Sequence, residues 1–335
     1  MAVVKKNKLY IIAEVGSVHD GSFGNACKLI EQAAKCGANA VKFQTHFGNL
    51  ESIKTAPRPY FFKGEDRIKY FDRTKFDLSE YKKFTNVSKK NKIDFLSSPF
   101  ALEAVDFLEK INIKSYKIPS GEITNLPLLE KIKKTKKKVF LSTGMSNWKE
   151  IDQAVNILKK NCELTIMQCT SLYPCPDNKI GINVIKEMIK RYKLPVGFSD
   201  HTLGYEASIA AVMEGATVVE KHITFSNHMY GSDAFNAMEL DKFKSFCSSL
   251  KRVFVIKNIN IDKNNINYLK RIKKTFEKSI VLSNDYKKDK ILTLNDLAFK
   301  KAGNGISAQF YKKIIGRKLK KDLKKDHLLN YKDLN

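Results

Sequence analysis

Two histidines, four carboxylates and a set of lysines and serines stand at spacings that suit one reaction centre. In VVEKHIT (218–224) Glu220 and His222 are two residues apart, so an extended strand puts both on one face and Lys221 on the other. Ser199 and His201 stand in the same relation in GFSDH (197–201). A lone strand-end histidine is usually a hydrogen-bonded structural residue. Two on adjacent strands, with a carboxylate beside one, point instead to a divalent metal held by His201 and His222. Two imidazoles leave positions open for substrate oxygens and water, which is how a Lewis-acid site is built. Mixed imidazole and oxygen ligation suits Mn, Co, Fe or Zn.

A second group of residues suits an anion. Lys42 and Gln44 share a strand face in AVKFQT (40–45), and Lys117 sits inside SYKIPSGE (115–122) with Ser120 and Glu122 behind it. Ser142 and Gly144 close VFLSTG (139–144). Hydroxyls, exposed backbone N–H groups and a lysine charge are what a phosphate needs. Serine and glycine are also common in ordinary turns. A lysine flanked by apolar residues in a strand is harder to explain that way, because an inward ammonium is costly unless paired. Glu14, Glu122, Glu220 and Asp233 supply carboxylates for general acid–base work on a sugar or aldehyde. Glu14 serves equally well as an ion-pair partner for Lys42 or Lys117.

These residues need a scaffold that brings them together. Eight short apolar segments recur: 10–16, 40–45, 94–100, 115–122, 139–144, 164–169, 195–200 and 218–224. Nearly all end in polar residues, and helical spacing fills most gaps between them. This predicts a (β/α)8 TIM barrel, whose chemistry collects where the C-terminal strand ends meet. Helices are expected over 25–37 with Gly37 as C-cap, over 78–91 with Ser79 as N-cap, over 146–161 and over 204–216. The stretch 46–77 exceeds what a strand–helix connection needs and reads as a lid. Beyond residue 257 the chain turns polar and asparagine-rich. Short runs with turn signals at 284–285, 288–289 and 303–305 follow. We read residues 1–258 as the barrel, 259–275 as a linker and 276–335 as a small β-rich module, too short to bury much core alone.

Composition narrows the remaining classes. Sixty-one basic against 35 acidic residues give a net charge of +26. The lysines are scattered and not interleaved with aromatics on one element, so no nucleic-acid role is expected; a pull on anionic substrates is. No apolar run is long enough for a membrane span, and the N-terminus lacks the pattern of a signal peptide. The six cysteines form no C-x-x-C pair and suit reduced thiols in a cytoplasmic protein. A nucleophilic role for Cys169 or Cys175 is the minor reading.

The ordered stretches IAEVGSVHDG (12–21), VKFQ (41–44), FLSSPF (95–100), YKIPSGEITNLPLL (116–129), LSTGM (141–145), QCTSLYPCP (168–176), GFSDHTLG (197–204) and VVEKHIT (218–224) resemble the sialic acid synthase family, the N-acetylneuraminate, legionaminate and pseudaminate synthases. AFKKAGNGISAQFYKKIIGRKL (298–319) resembles that family's antifreeze-like (SAF) module. The resemblance implies condensation of phosphoenolpyruvate with the open-chain aldehyde of an N-acylated amino sugar, releasing phosphate and forming a nine-carbon keto acid. It implies a divalent metal, commonly Mn2+ with Mg2+ or Co2+ as alternatives. It assigns Lys117, Ser120, Ser142 and Ser199 to phosphoenolpyruvate, Glu122 to the region of its C2, and Glu220 to proton carriage beside metal and sugar. Lys42, Gln44, Ser171, Tyr173 and Asp233 would contact substrates, and Glu14 joins them. It further implies a homodimer in which the C-terminal module crosses to cap the partner's mouth.

The departures fall on the sugar side. Lys301 stands where the family commonly has an arginine that reaches the sugar's acyl group, and lysine lacks the planar fork of arginine. The loop after the last strand reads Gly231-Ser232-Asp233-Ala234-Phe235 where Gly-Pro-Asp-His is common, and Ser171 replaces an asparagine frequent in neuraminate synthases. The metal and phosphate residues match, so the reaction class is better marked than the acceptor, either N-acetylmannosamine or a 2,4-diacetamido-trideoxyhexose. The alternatives are a barrel aldolase without phosphoenolpyruvate chemistry and a non-catalytic sugar-binding relative.

Overall fold

A computed structural model of the chain describes residues 8–58 and 64–335. Eight parallel strands pair in sequence order: β1 (Tyr10–Gly16), β2 (Ala40–Thr45), β3 (Asp94–Pro99), β4 (Ser115–Ile118), β5 (Lys138–Ser142), β6 (Leu164–Cys169), β7 (Val196–Asp200) and β8 (Val218–Thr224). β1 also pairs with β8, with Glu14 opposite His222, so the sheet closes into a barrel. A two-residue strand, β9 (Met238–Glu239), pairs in parallel with the end of β8.

Strand alternation sorts side chains into two environments. Outward residues pack against the surrounding helices in one large apolar core. Inward residues form layers. Ile12, Ala40, Leu96, Phe140, Met167 and Val218 fill the floor. Two residues further along the strands the floor gives way to Glu14, Lys42, Ser98, Ser142, Cys169 and Glu220. The apolar layer thus forms the base on which the charge is gathered.

The helices follow their local signals with small shifts. Phe23–Cys36 ends on Gly37 in the left-handed region, as expected. The helix Leu78–Lys90 is capped by Asp77 and not Ser79: Asp77 accepts from the Glu80 amide while the Glu80 carboxylate accepts from the Asp77 amide. An aspartate three residues before a glutamate makes a reciprocal box that a serine one position into the helix cannot. Trp148–Leu158 carries the same box on Asn147 and Glu150. Residues 115–122 are not one strand: β4 ends at Ile118, and Ser120–Glu122 form a 3-10 turn. The stretch 46–77 carries the helices Gly48–Glu51 and Arg67–Thr74, with 59–63 outside the described residues. Glu206–Glu214 and the long Leu240–Asn258 complete the outer ring.

The chain divides into compact units at 259/260. In the second, β10 (Lys278–Leu282) pairs antiparallel with β11 (Leu297–Lys301), and isolated bridges tie later segments to them. Its core is small, built around Ile280, Leu282, Leu292, Ile314 and Leu319. The stretch read as a linker holds the helix Lys270–Phe276. Two of the expected turns, at 288–289 and 303–305, are marked by positive φ at Asp289, Gly303 and Gly305.

Candidate active site

A buried charge network spans the barrel above the apolar floor. Lys117 Nζ donates to Glu220 Oε1 at 2.6 Å, crossing from β4 to the opposite strand β8. Lys42 Nζ lies 3.3 Å from the same oxygen and 3.3 Å from Glu14 Oε1. Ser199 Oγ donates to Glu220 Oε1 at 3.0 Å, and Gln44 Nε2 to Glu14 Oε1 at 2.7 Å. All four charged groups are at most 4% exposed. Buried charges persist only when paired, and these two lysines and two carboxylates neutralise one another.

The two carboxylates are in different states. Burial would raise Glu220, but Lys117 and Lys42 outweigh it and hold the carboxyl far below its usual range. Burial of Glu14 dominates, and the Glu220 and Asp233 charges add to it, so its carboxyl rises to about 7 despite Lys42. Burial drives Lys117 down, and Lys42 adds to that against Glu220. Lys42, beside two carboxylates, is held up against its own burial. Glu220 is therefore a fixed anion, while Glu14 can gain or lose a proton near neutrality.

His201 and His222 stand side by side at the strand ends, ring centroids 5.7 Å apart, with Tyr173 4.2 Å from His201. His201 Nδ1 lies 2.9 Å from the Thr170 carbonyl, which can only accept, so Nδ1 carries a proton and Nε2 is the nitrogen left to bind. Cys169 Sγ is 3.7 Å from that Nδ1. Burial, helped by His201 and Lys42, pushes His222 down to about 4 against Asp233, so its ring is neutral at physiological pH. Its Nδ1 is buried without a hydrogen-bond partner, as are Glu14 Oε2 and Glu220 Oε2. Unmet buried polar atoms are costly, and a metal with substrate oxygens would satisfy them. Among the described residues no three His, Cys, Asp or Glu side chains converge on a cation position. The residues present thus fit an open two-histidine site and not a closed protein cage.

Asp233 folds back over this centre. Its Oδ2 accepts from the Ser17 amide (2.8 Å) and hydroxyl (2.9 Å). Burial pushes the carboxyl up, but His222 and the Ser17 bonds hold it below its usual range. The approach requires Gly16: with φ +55, a Cβ there would sit 2.2 Å from Asp233 Oδ2.

The opposite rim is a cradle of small groups. The Gly144 amide donates to Ser120 Oγ at 3.0 Å. A Cβ on Gly144 would lie 2.5 Å from Ser171 Oγ, 2.8 Å from Ser120 Oγ and 2.9 Å from Cys169 Sγ. Ser142 is buried at the adjacent end of β5. Glu122 accepts from Asn125 Nδ2 at 2.8 Å and is raised by burial.

The structure therefore gathers Glu14, Lys42, Gln44, Lys117, Ser199, His201, Glu220, His222 and Asp233 in one network, with Tyr173 against the histidines. It places Ser120 and Ser171 around Gly144. Ser199 spends its hydroxyl on Glu220. Lys301 belongs to the second unit, where it is exposed with its ammonium 4.9 Å from the Phe276 ring centre. Sequence reasoning passed over Ser17, which lacked a spacing signal, and His46, which stands two residues beyond Gln44 and shares its strand alternation. His19 is structural: it packs on Phe76 and Phe43, and burial lowers it to about 3.

With this geometry in hand, comparison with known proteins decides the family. A family model described as the NeuB family matches residues 29–261, and one for the SAF domain matches 277–335. The chain belongs to the NeuB family. Its relatives include the N,N'-diacetyllegionaminic acid synthase of Campylobacter jejuni, 40% identical over 96% of this chain and 99% of that one. The pseudaminic acid synthase of the same organism is 29% identical over 95% and 94%. Among solved NeuB-like structures, the N-acetylneuraminic acid (sialic acid) synthetase of Leptospira borgpetersenii, in complex with citrate, covers 82% of this chain and 95% of its own at 27% identity, with a TM-score of 0.71.

Proposed function

We propose that this NeuB-family chain condenses phosphoenolpyruvate with a 2,4-diacetamido-trideoxyhexose, giving a nonulosonic acid of the legionaminate type and phosphate. The observation that carries the reaction class is the layer Lys42–Glu14–Glu220–Lys117 beneath His201 and His222. The acceptor follows the relatives. The named N,N'-diacetyllegionaminic acid synthase of C. jejuni is 40% identical, against 33% for the N-acetylneuraminate-9-phosphate synthase of Mus musculus and 29% for the C. jejuni pseudaminic acid synthase. A product with two acetyl groups requires an acceptor that carries both.

Bond by bond, C3 of phosphoenolpyruvate attacks the aldehyde carbon, and the aldehyde oxygen takes a proton. Water then adds at C2, and the C2–O bond to phosphate breaks. Raised to about 7 by burial, Glu14 is read as the proton carrier for the aldehyde oxygen, the role the resemblance gave to Glu220. Glu220 stays ionised and fixes both lysines. Glu122, raised by burial and assigned by the resemblance to the region of C2, would take the proton of the attacking water. Ser120, Ser142 and the Gly144 cradle hold the phosphate against Lys117. His201 and His222 would hold a divalent cation, Mn2+ by family resemblance, which would supply Lewis-acid polarisation of the aldehyde.

By the same resemblance the chain works in the cytoplasm as a homodimer that exchanges its C-terminal modules; sedimentation mass reads the dimer directly. Among the described residues no helix is long and apolar enough to cross a membrane. The deciding experiment is phosphate release from phosphoenolpyruvate with Mn2+, offering the diacetamido sugar and N-acetylmannosamine separately, with a chelator control. Release with the first sugar alone supports the full reading. Release with N-acetylmannosamine alone reassigns the acceptor, and release with neither refutes the synthase.

A further inference from the structure

Gln44 lies in the mouth with both ends of its amide already set. Nε2 donates to Glu14 Oε1 at 2.7 Å, and Oε1 faces His46 Nε2 at 2.9 Å. An amide oxygen only accepts, so His46 Nε2 must carry the proton of that bond. On the other side of the ring, Nδ1 is hydrogen-bonded to the Glu51 carboxylate, 2.8 and 3.0 Å from its two oxygens. The imidazole is sandwiched. Phe71 stacks on it at 3.8 Å and 9°, and Phe100 at 4.1 Å and 23°. Arg67 lies over Phe71 in turn, 5.8 Å from the ring centre. His46 is 9% exposed at the side chain and Glu51 7%.

Four segments meet at this ring: the end of β2, the helix Gly48–Glu51, the helix Arg67–Thr74 and the residue after β3. No part of the mechanism above uses His46. A buried imidazole stacked on both faces and hydrogen-bonded at both nitrogens has no freedom to turn, so its partner amide cannot flip either.

We propose that His46 is a positioning residue. It holds the Gln44 amide with its NH2 end toward Glu14, and through Glu51 and Phe71 it ties the helices Gly48–Glu51 and Arg67–Thr74 to the same mouth. The activity readout rests on the synthase reading; the structural coupling does not.

The test is a double-mutant cycle with His46→Phe, which keeps the stack and deletes the donor, and Gln44→Leu. Each single variant is expected to lower kcat/KM for the sugar about 30-fold, the scale of one hydrogen bond to a charged or fixed partner. If His46 acts through Gln44, the double variant is no worse than Gln44→Leu alone. Losses that multiply overturn the proposal. His46→Gln, whose amide N–H reaches the Nε2 position, retains activity within about 5-fold of the parent, while the shorter His46→Asn does not. Equal losses in these two also overturn it, and this pair serves if His46→Phe does not fold. If the parent chain releases no phosphate, the synthase reading fails separately. The same cycle is then read in thermal midpoints, where strictly additive shifts overturn the His46–Gln44 coupling.

Discussion

Lys117 on β4 and Glu220 on β8 meet across the barrel, Nζ to Oε1 at 2.6 Å, with both side chains shielded from water. Opposite strands of a closed barrel have no backbone bond between them, so this contact is purely a side-chain choice. Removing Lys117 takes away the nearer of the two lysines that hold Glu220, and breaking a buried pair costs roughly 3 kcal/mol. Lys117→Met is expected to lose about that much stability in urea unfolding. Lys117→Met combined with Glu220→Gln should recover most of it, and both variants should fall about 1000-fold in phosphate release. A double variant as unstable as the single would mean that the pair is not coupled.

Glu14 makes a pH prediction with a definite sign. Its carboxyl moves from 4.5 to about 7 on folding. Between those values the folded chain holds a proton that the unfolded chain has released, so stability falls as pH rises through the window, and the loss is complete above about 7. Thermal unfolding of metal-free protein should show this slope, and Glu14→Gln should flatten it. As proton donor to the aldehyde oxygen, Glu14 also predicts that kcat declines as pH rises through about 7. Glu14→Gln removes that limb and about 100-fold or more of the rate. An unchanged profile in the variant would move the proton to another group.

Gly144 is a test of the phosphate cradle. A methyl there would sit within 2.9 Å of Ser171 Oγ, Ser120 Oγ and Cys169 Sγ, groups from the turn after β4 and from the end of β6 and its following loop. Gly144→Ala is expected to fold, because the clash lies with side-chain tips at the mouth and not with the core. The displaced hydroxyls should raise KM for phosphoenolpyruvate by about 10-fold, the scale of one lost hydrogen bond, and leave KM for the sugar much less affected. Equal changes in both constants would place the cradle elsewhere.

The barrel was legible because its signals are local. Each strand is a short apolar run, and period-two alternation in VVEKHIT and AVKFQT already paired Glu220 with His222 and Lys42 with Gln44. The mouth residues followed, since a barrel gathers strand ends whatever the helices do. What escaped was set by distance. The cap fell on Asp77 because a reciprocal bond with Glu80 beats a lone serine. His46 and Glu51 look like ordinary excursion residues until Phe71 and Phe100, 25 and 54 positions along, close over the ring. The split between Glu14 and Glu220 was invisible as well. Both are inward strand glutamates, and only the count of lysines facing each separates an acid that can titrate from one that cannot.

His222 separates a metal ligand from a structural histidine. Its ring is neutral and its Nδ1 is buried with no partner. A histidine kept for the fold would be hydrogen-bonded, and an unmet buried polar atom costs about 1–3 kcal/mol. His222→Leu, similar in volume and without the unmet atom, should therefore leave metal-free stability unchanged or improve it by about 1 kcal/mol. Mn2+ at 100 times its dissociation constant should stabilise the parent by about 2.7 kcal/mol, seen as an upward shift of the thermal midpoint that a chelator reverses. His222→Leu should lose most of that shift and all phosphate release. An equal shift in the variant would show that the ion binds elsewhere, and a large metal-free destabilisation would return His222 to the fold.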